Sequence, residues 1–161
     1  MPSFDAVCEV DLQEVKNAVN QAMKEITTRY DFRNSEAEIV IEEGYLMLSA
    51  EDTMKLQAVR DILNQKLSKR GLGLKAFDYR EPEDAAKGTL RQRVDIQSGI
   101  PTEKAREFVK LIKGLNIKKV QAQIQDDQLR VSGPKKDDLQ EVIKLLKEKS
   151  SIELQFKNFK D

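Results

Sequence analysis

The chain has 161 residues, 39% hydrophobic and 35% charged, a balance that suits a folded, water-exposed protein and excludes an intrinsically disordered one. Its 28 Lys plus Arg equal its 28 Asp plus Glu, so no global field draws it to nucleic acid or to membranes, although residues 1–80, with 11 basic and 14 acidic side chains, leave the second half the more basic. No apolar run approaches the roughly 20 residues of a membrane span, Met1–Asp5 lacks a basic, apolar leader, and one cysteine cannot form an internal disulfide.

A cytoplasmic location without membrane contact is therefore expected. Cys8, in an alternating strand-like run, reads as a small core residue.

In chain order, Leu12, Val15, Ala18, Val19, Ala22, Met23 and Ile26 have helical spacing behind Asp11, which can cap the helix while Glu14 reaches back as in a capping box. Glu38–Glu42 and Leu46–Ser49 read as strands joined at Glu43-Gly44, where glycine tolerates the backbone of a tight hairpin. Asp52 can cap a second helix carrying Leu56, Val59, Ile62, Leu63 and Leu67 on one face, and Gly71 suits its end. A strand over Leu72–Tyr79 follows, and residues 81–89, polar with Pro and Gly, read as a linker.

The order then recurs: a strand at Leu90–Gln97, a helix at Thr102–Lys113, a hairpin of Val120–Gln125 and Gln128–Ser132, a helix from Lys135 to Lys147, and a strand at Ile152–Phe159. Ile41, Leu46, Leu48, Leu56, Val59, Ile62 and Leu63 precede Ile124, Leu129, Val131, Leu139, Val142, Leu145 and Leu146 by 83 positions each. This is an internal duplication. The fold class is α+β, with two ferredoxin-like βαββαβ sandwich domains at 1–80 and 90–161, each with two helices on one sheet face and the other face open.

Catalytic chemistry is hard to find. Without histidine there is no histidine-dependent triad, one cysteine makes no zinc site, and Gly71-Leu72-Gly73 leads into a strand and continues into no phosphate-loop signature. Asp52 reads as a cap and Asp126-Asp127 as a turn, not as metal ligands. A protein without enzymatic activity, cofactor or metal is expected, and binding is the better class.

Three groups of residues suit a nucleotide. In the first hairpin Ile39, Ile41, Leu46 and Leu48 should face the helices, which turns Val40, Tyr45, Met47 and Ser49 to the open side, joined there by Phe77 and Tyr79; the alternative is that this face packs against the other half. In the second hairpin Val120, Ala122, Ile124, Leu129 and Val131 should face the core. That leaves Gln121, Gln123, Gln125, Gln128, Arg130 and Ser132 outward, to meet a ligand through Gln121, Gln123 and Arg130 or simply to be solvated. Arg29, Tyr30, Phe32 and Arg33 crowd two aromatics and two guanidiniums into five residues, suited to stacking and phosphate neutralisation or to covering a core edge.

The order of segments resembles the YajQ family of bacterial proteins. The resemblance rests on Met1–Asp5, Glu9–Val15, Thr28–Arg33, Lys69–Gly71, Val120–Gln125, Leu129–Gly133, Lys136–Gln140 and Leu154–Phe159, and spans essentially the whole chain. It implies that the halves exchange their first strands, residues 4–10 and 90–97, which would bring Arg91 and Arg93 beside the first half's aromatic face. It also implies a nucleotide-binding protein for purine nucleotides or RNA, with some members binding cyclic di-GMP, a cyclic dinucleotide, and acting with a transcription regulator. The expectation is a nucleotide-binding regulatory adaptor; the alternatives are an RNA-binding protein and a structural protein-interaction module.

Overall fold

A computed structural model describes every residue, Met1–Asp161. In chain order its elements are β1 (Ser3–Val7), α1 (Leu12–Thr28), β2 (Glu38–Ile41), β3 (Tyr45–Ala50), α2 (Thr53–Lys69), β4 (Phe77–Tyr79), β5 (Glu83–Asp84), β6 (Leu90–Ile96), α3 (Thr102–Gly114), β7 (Gln121–Gln125), β8 (Gln128–Ser132), α4 (Lys136–Lys149) and β9 (Gln155–Lys160). They form two compact units: a central one of Val10–Gln97, and a terminal one that joins Met1–Glu9 to Ser98–Asp161.

The helices begin where the capping chemistry says. The Asp11 carboxylate accepts from the backbone N–H groups of Gln13 at 3.0 Å and Glu14 at 3.4 Å, and Asp52 accepts from Lys55 at 2.7 Å. Glu14 makes no capping box; its carboxylate takes the Arg70 guanidinium at 2.8 and 3.0 Å, tying the start of α1 to the end of α2. Gly71, which ends α2, has φ +80° and Gly44, in the first hairpin turn, +82°, conformations a side chain would strain.

Each sheet is antiparallel, and the terminal one joins strands from opposite ends of the sequence. In the central unit the order is β2-β3-β6-β4, with the two residues of β5 also on β6; in the terminal unit it is β7-β8-β1-β9. β6 therefore hydrogen-bonds to β3 and β4, and β1 to β8 and β9. The 81–89 stretch, read as a linker, carries β5 and a 3₁₀ turn at Ala86–Gly88, and Ala85 N–H donates to the Thr89 carbonyl at 2.8 Å.

One face of each sheet is sealed by its helices. Leu46 and Leu48 meet Leu56, Val59, Ile62, Leu63 and Leu67 in the central core; Phe4, Leu129 and Val131 meet Phe108, Val142 and Leu146 in the terminal one. Burying a side chain of this size contributes roughly 1.5–3 kcal/mol. Most residues related by 83 positions keep the same environment in both units: Leu46 and Leu129 are both wholly buried, as are Leu48 and Val131, although Leu145 is less buried than its equivalent Ile62. Cys8 is also buried, and desolvation pushes its thiol up to about 11.

Two inward assignments fail. Ile41 and Ile124, equivalent in the repeat, are both exposed: each lies at or next to the turn end of an outer strand, Ile41 as the last residue of β2 and Ile124 one residue before the end of β7. Phe77 and Tyr79 are the opposite case: both were placed on the open face, yet both pack on the helix side, where Tyr79 donates its hydroxyl to Asn64 of α2 at 2.6 Å. The strand begins at Phe77 rather than Leu72, since Leu74–Ala76 forms a 3₁₀ turn that shifts the alternation by one residue.

The placement of β1 makes a direct prediction. Phe4→Ala should cost about 3–5 kcal/mol in a denaturant titration. Hydrogen exchange should show the largest gain in β8 and β9, more than a hundred residues away in sequence, and not in α1, which follows β1 directly.

Candidate functional site

On the open face of the central sheet the register sets Tyr45 opposite Asp95, Met47 opposite Arg93 and Ser49 opposite Arg91. The chain leaving β4 adds a fourth column, because Arg80 N–H donates to the Arg93 carbonyl at 2.9 Å. From below, the buried Gln92 donates its side-chain amide to the Arg80 carbonyl at 2.7 Å, which holds this stretch against β6. Three guanidiniums, of Arg80, Arg91 and Arg93, thus project from adjacent backbone onto one surface.

Their partners differ. Asp95 accepts from Arg93 Nε at 2.6 Å and also from Arg80 Nε, and although burial pushes its carboxyl up, these two hydrogen bonds outweigh that and hold it below its ordinary value. The Arg93 guanidinium carbon lies 3.8 Å from the centroid of the Tyr45 ring, a close cation–π stack. Arg91 has only Glu83 at 3.6 Å, both side chains being more than half exposed, a loose pairing of little energetic weight. Met47, Arg80, Glu81, Glu83, Arg91 and Arg93 line a cavity of about 270 Å³.

Met47 was read from the sequence as an open-face residue, whereas Arg80, Asp95 and Glu83 were not among the candidates. The alternation of Arg91, Arg93 and Asp95 along β6 could have found Asp95. Arg80 gave no such signal, since it stands where the sequence turns into a polar, Pro-containing loop.

The open face of the terminal sheet is built differently. Arg130 donates to the Asp5 carboxylate at 2.9 and 3.4 Å, and Asn158 donates to it at 2.9 Å. The Arg130 hydrogen bond holds the Asp5 carboxyl below its ordinary value against the desolvation that opposes it; Asp5 is 2% exposed. The guanidinium fork of Arg130 is therefore engaged with a buried partner. Gln121 and Gln123 are exposed on β7, at the sheet's edge.

The third group separates. Phe32 is 4% exposed and belongs to the helix-side core, its ring flanked by the Arg29 guanidinium at 5.5 Å and the Lys55 ammonium at 5.0 Å, so no base can stack on it. Arg29 is held by Asp31 at 2.7 Å and Glu25 at 3.4 Å. Tyr30 and Arg33 are exposed, apart from the Tyr45–Arg93 face.

Two other concavities exist. One of about 200 Å³ lies where Pro2 and Ser3 meet the start of α4 and the end of β9, and is crossed by the Lys136–Asp161 ion pair at 2.5 Å. Another, of about 430 Å³ and more open, is lined by α1 and α2 and includes Lys24, Lys66 and Lys69, with Lys66 held by Glu25 at 3.0 Å. Neither contains an aromatic–guanidinium stack. No group of three His, Cys, Asp or Glu side chains is placed to hold a metal ion, and no helix is long and apolar enough to cross a membrane.

Comparison with known proteins gives a consistent result. Residues 2–160 match the family model described as "Nucleotide-binding protein YajQ-like". Similar proteins, each named "Nucleotide-binding protein", come from Trichlorobacter lovleyi, 51% identical over 100% of both chains, and Geotalea uraniireducens, 53% identical over 99% of both. One from Carboxydothermus hydrogenoformans is 53% identical over 98% of this chain and 97% of its own.

The Asp5–Arg130 pair can be checked independently of any ligand. Arg130→Ala should lower unfolding free energy at pH 7 by on the order of 2 kcal/mol, less than the ~3–5 of a fully buried pair because Arg130 retains contact with water. In the parent protein the contribution of a depressed carboxyl is present above its unfolded value near ~3.9 and is lost as pH falls through the folded value. The gap between parent and variant in urea titrations should therefore narrow below about pH 4.

Proposed function

The chain belongs to the YajQ family, and on that premise we propose that it binds a nucleotide, without turning it over, on the open face of the central sheet. The observation that carries this reading is the convergence of Arg80, Arg91 and Arg93 with Met47 around a cavity of about 270 Å³, beside a Tyr45 ring stacked under one of the guanidiniums. Arginine suits phosphate because its planar fork donates two parallel hydrogen bonds. A guanidinium plane backed by an aromatic ring and flanked by a thioether gives a flat surface for a base.

The roles divide by how firmly each arginine is held. Arg80 and Arg93 share Asp95, which fixes their direction, whereas Arg91 has only the loose, solvent-screened Glu83 and can exchange it for a phosphate oxygen. Arg91 is the phosphate contact, Arg93 with Tyr45 the stacking platform, and Gln92 a positioning residue through the Arg80 backbone. Binding with no chemistry is favoured by the absence of a histidine and of a metal-holding cluster beside this surface.

The compactness of the site favours a purine nucleotide or a cyclic dinucleotide over RNA. Glu38, Glu81 and Glu83 border the arginines, so a long polyanion would meet carboxylates where it left the cavity, while a ligand carrying only a few phosphates would not. A regulatory adaptor would use the bound nucleotide to alter contacts with a transcription regulator.

Calorimetry against GTP, ATP, cyclic di-GMP and a short single-stranded RNA tests the reading. Saturable binding of at least one nucleotide is expected, weakened about tenfold by Arg91→Ala, the equivalent of about 1.4 kcal/mol. Glu83→Gln, which frees Arg91, should tighten it two- to threefold, an effect of roughly 0.5 kcal/mol. Absence of binding to every ligand would overturn the proposal, and a larger loss with Arg130→Ala than with Arg91→Ala would move the site to the terminal sheet. RNA affinity that grows with length and collapses with salt would replace it with RNA binding.

A further inference from the structure

A sheet edge presents unpaired backbone N–H and C=O groups, and proteins commonly guard such edges with charge, proline, bulges or extreme shortness. Three of the four outer edges here are guarded. β9 carries Lys157 and Lys160, a register shift against β1, and Asn158 at φ +56°. β4 is only three residues long. β2 is bracketed by Glu36 and Glu38 at one end and Glu42 and Glu43 at the other.

β7 has none of these devices within the strand, and the charges that flank it are of opposite sign at its two ends, Lys118 and Lys119 before it and Asp126 and Asp127 after it. Its sequence, Gln121-Ala122-Gln123-Ile124-Gln125, holds no charge and no proline, and it pairs with β8 in unbroken register. Gln121, Gln123, Ile124 and Gln125 are all exposed. Since Gln125 and Gln128 close a two-residue turn, they form a hydrogen-bonded pair; by the alternation of an antiparallel ladder, Ala122 and Ile124 then turn their N–H and C=O groups to the free side.

We propose that β7 is a self-association edge, at which a second copy of this chain adds its own β7 antiparallel about Gln123 to join two four-stranded sheets into one of eight. The charges on either side select this occupant. Reversal about Gln123 sets Gln121 opposite the partner's Gln125 and Ala122 opposite the partner's Ile124, and carries the exposed Lys118 and Lys119 of each copy to the exposed Asp126 and Asp127 of the other. Both ends of the new ladder are thus charge-complementary, and the two-fold axis closes the contact at a dimer with no free β7 edge left to grow.

The same reversal applied to β2 would place carboxylates against carboxylates at each end, so the complementarity is particular to β7. Outward Ala122 and Ile124 exchange backbone hydrogen bonds across the axis. The glutamine side chains of both copies then fall on one face, where amides pair with amides without a charge penalty.

Sedimentation velocity on the full chain, from micromolar to millimolar, tests this. The parent protein is expected to pass from monomer to dimer. Gln121→Glu with Gln125→Glu places like charges opposite one another at both cross-strand pairs, as does Gln121→Lys with Gln125→Lys. Each double variant should dimerise about tenfold more weakly than the parent, and an equimolar mixture of the two should recover the dimer.

Circular dichroism separates this from misfolding, and the recovery on mixing cannot come from unfolded chains. The register is read by Gln123→Cys, which should form an intermolecular disulfide with oxidised glutathione as the oxidant, whereas Gln121→Cys, lying opposite the partner's Gln125, should not. A parent protein that stays monomeric to millimolar concentration, or double variants that associate as well as the parent or gain nothing on mixing, would overturn the proposal.

Discussion

Each sheet depends on one strand at an inner position: β1, from the far end of the chain, hydrogen-bonded on both sides by β8 and β9, and β6, the last strand of the central unit, by β3 and β4. An inner strand has its backbone groups satisfied along both edges and its core-facing side chains buried against the helices. Phe4 and Ala6 of β1 and Val94 of β6 are wholly buried. Remove either strand and a sheet loses not an edge but an inner strand, leaving a hairpin and a lone strand that could not hide their apolar faces.

The inserted strands also decide the chemistry of the open faces, because each delivers a carboxylate among arginines. In the terminal unit Asp5 is buried and takes up the Arg130 fork, with Asn158 completing the shell, so the charge is internally spent. In the central unit Asp95 is divided between Arg80 and Arg93, and β6 brings a third guanidinium, Arg91, that no buried carboxylate claims. Two copies of one architecture have thus become unequal: one sheet face is a closed electrostatic network, and the other retains cationic capacity.

The helices and hairpins were legible because their signals are local. Asp11 and Asp52 cap where expected, and the spacing of Val15, Val19, Ala22 and Ile26 is the buried stripe of α1. Which sheet accepts a strand is not written in its alternation, since Phe4 and Ala6 would read identically in either unit; only the family resemblance raised that question. The open-face position of Tyr45 followed from period two and those of Arg91 and Arg93 from the family resemblance, but Phe77 and Tyr79 were misplaced, because one 3₁₀ turn at Leu74–Ala76 reversed their parity. For Phe32 two readings stood open, stacking or covering a core edge, and the structure takes the second; five residues of mixed aromatic and basic character say nothing about which side of a helix end they fold onto.

Edges complete the logic of the fold. A duplicated four-stranded unit necessarily creates four outer strands, and each must be protected or used. Duplication gave β2 and β7 the same place in their units, yet the Glu-rich surroundings of the first and the uncharged glutamines of the second show that they answer the constraint differently. The unit whose open face holds the unclaimed arginine has the more heavily charged hairpin edge, and the unit whose face is electrostatically closed has the uncharged one, so the two proposals assign ligand binding and self-association to different units of one chain.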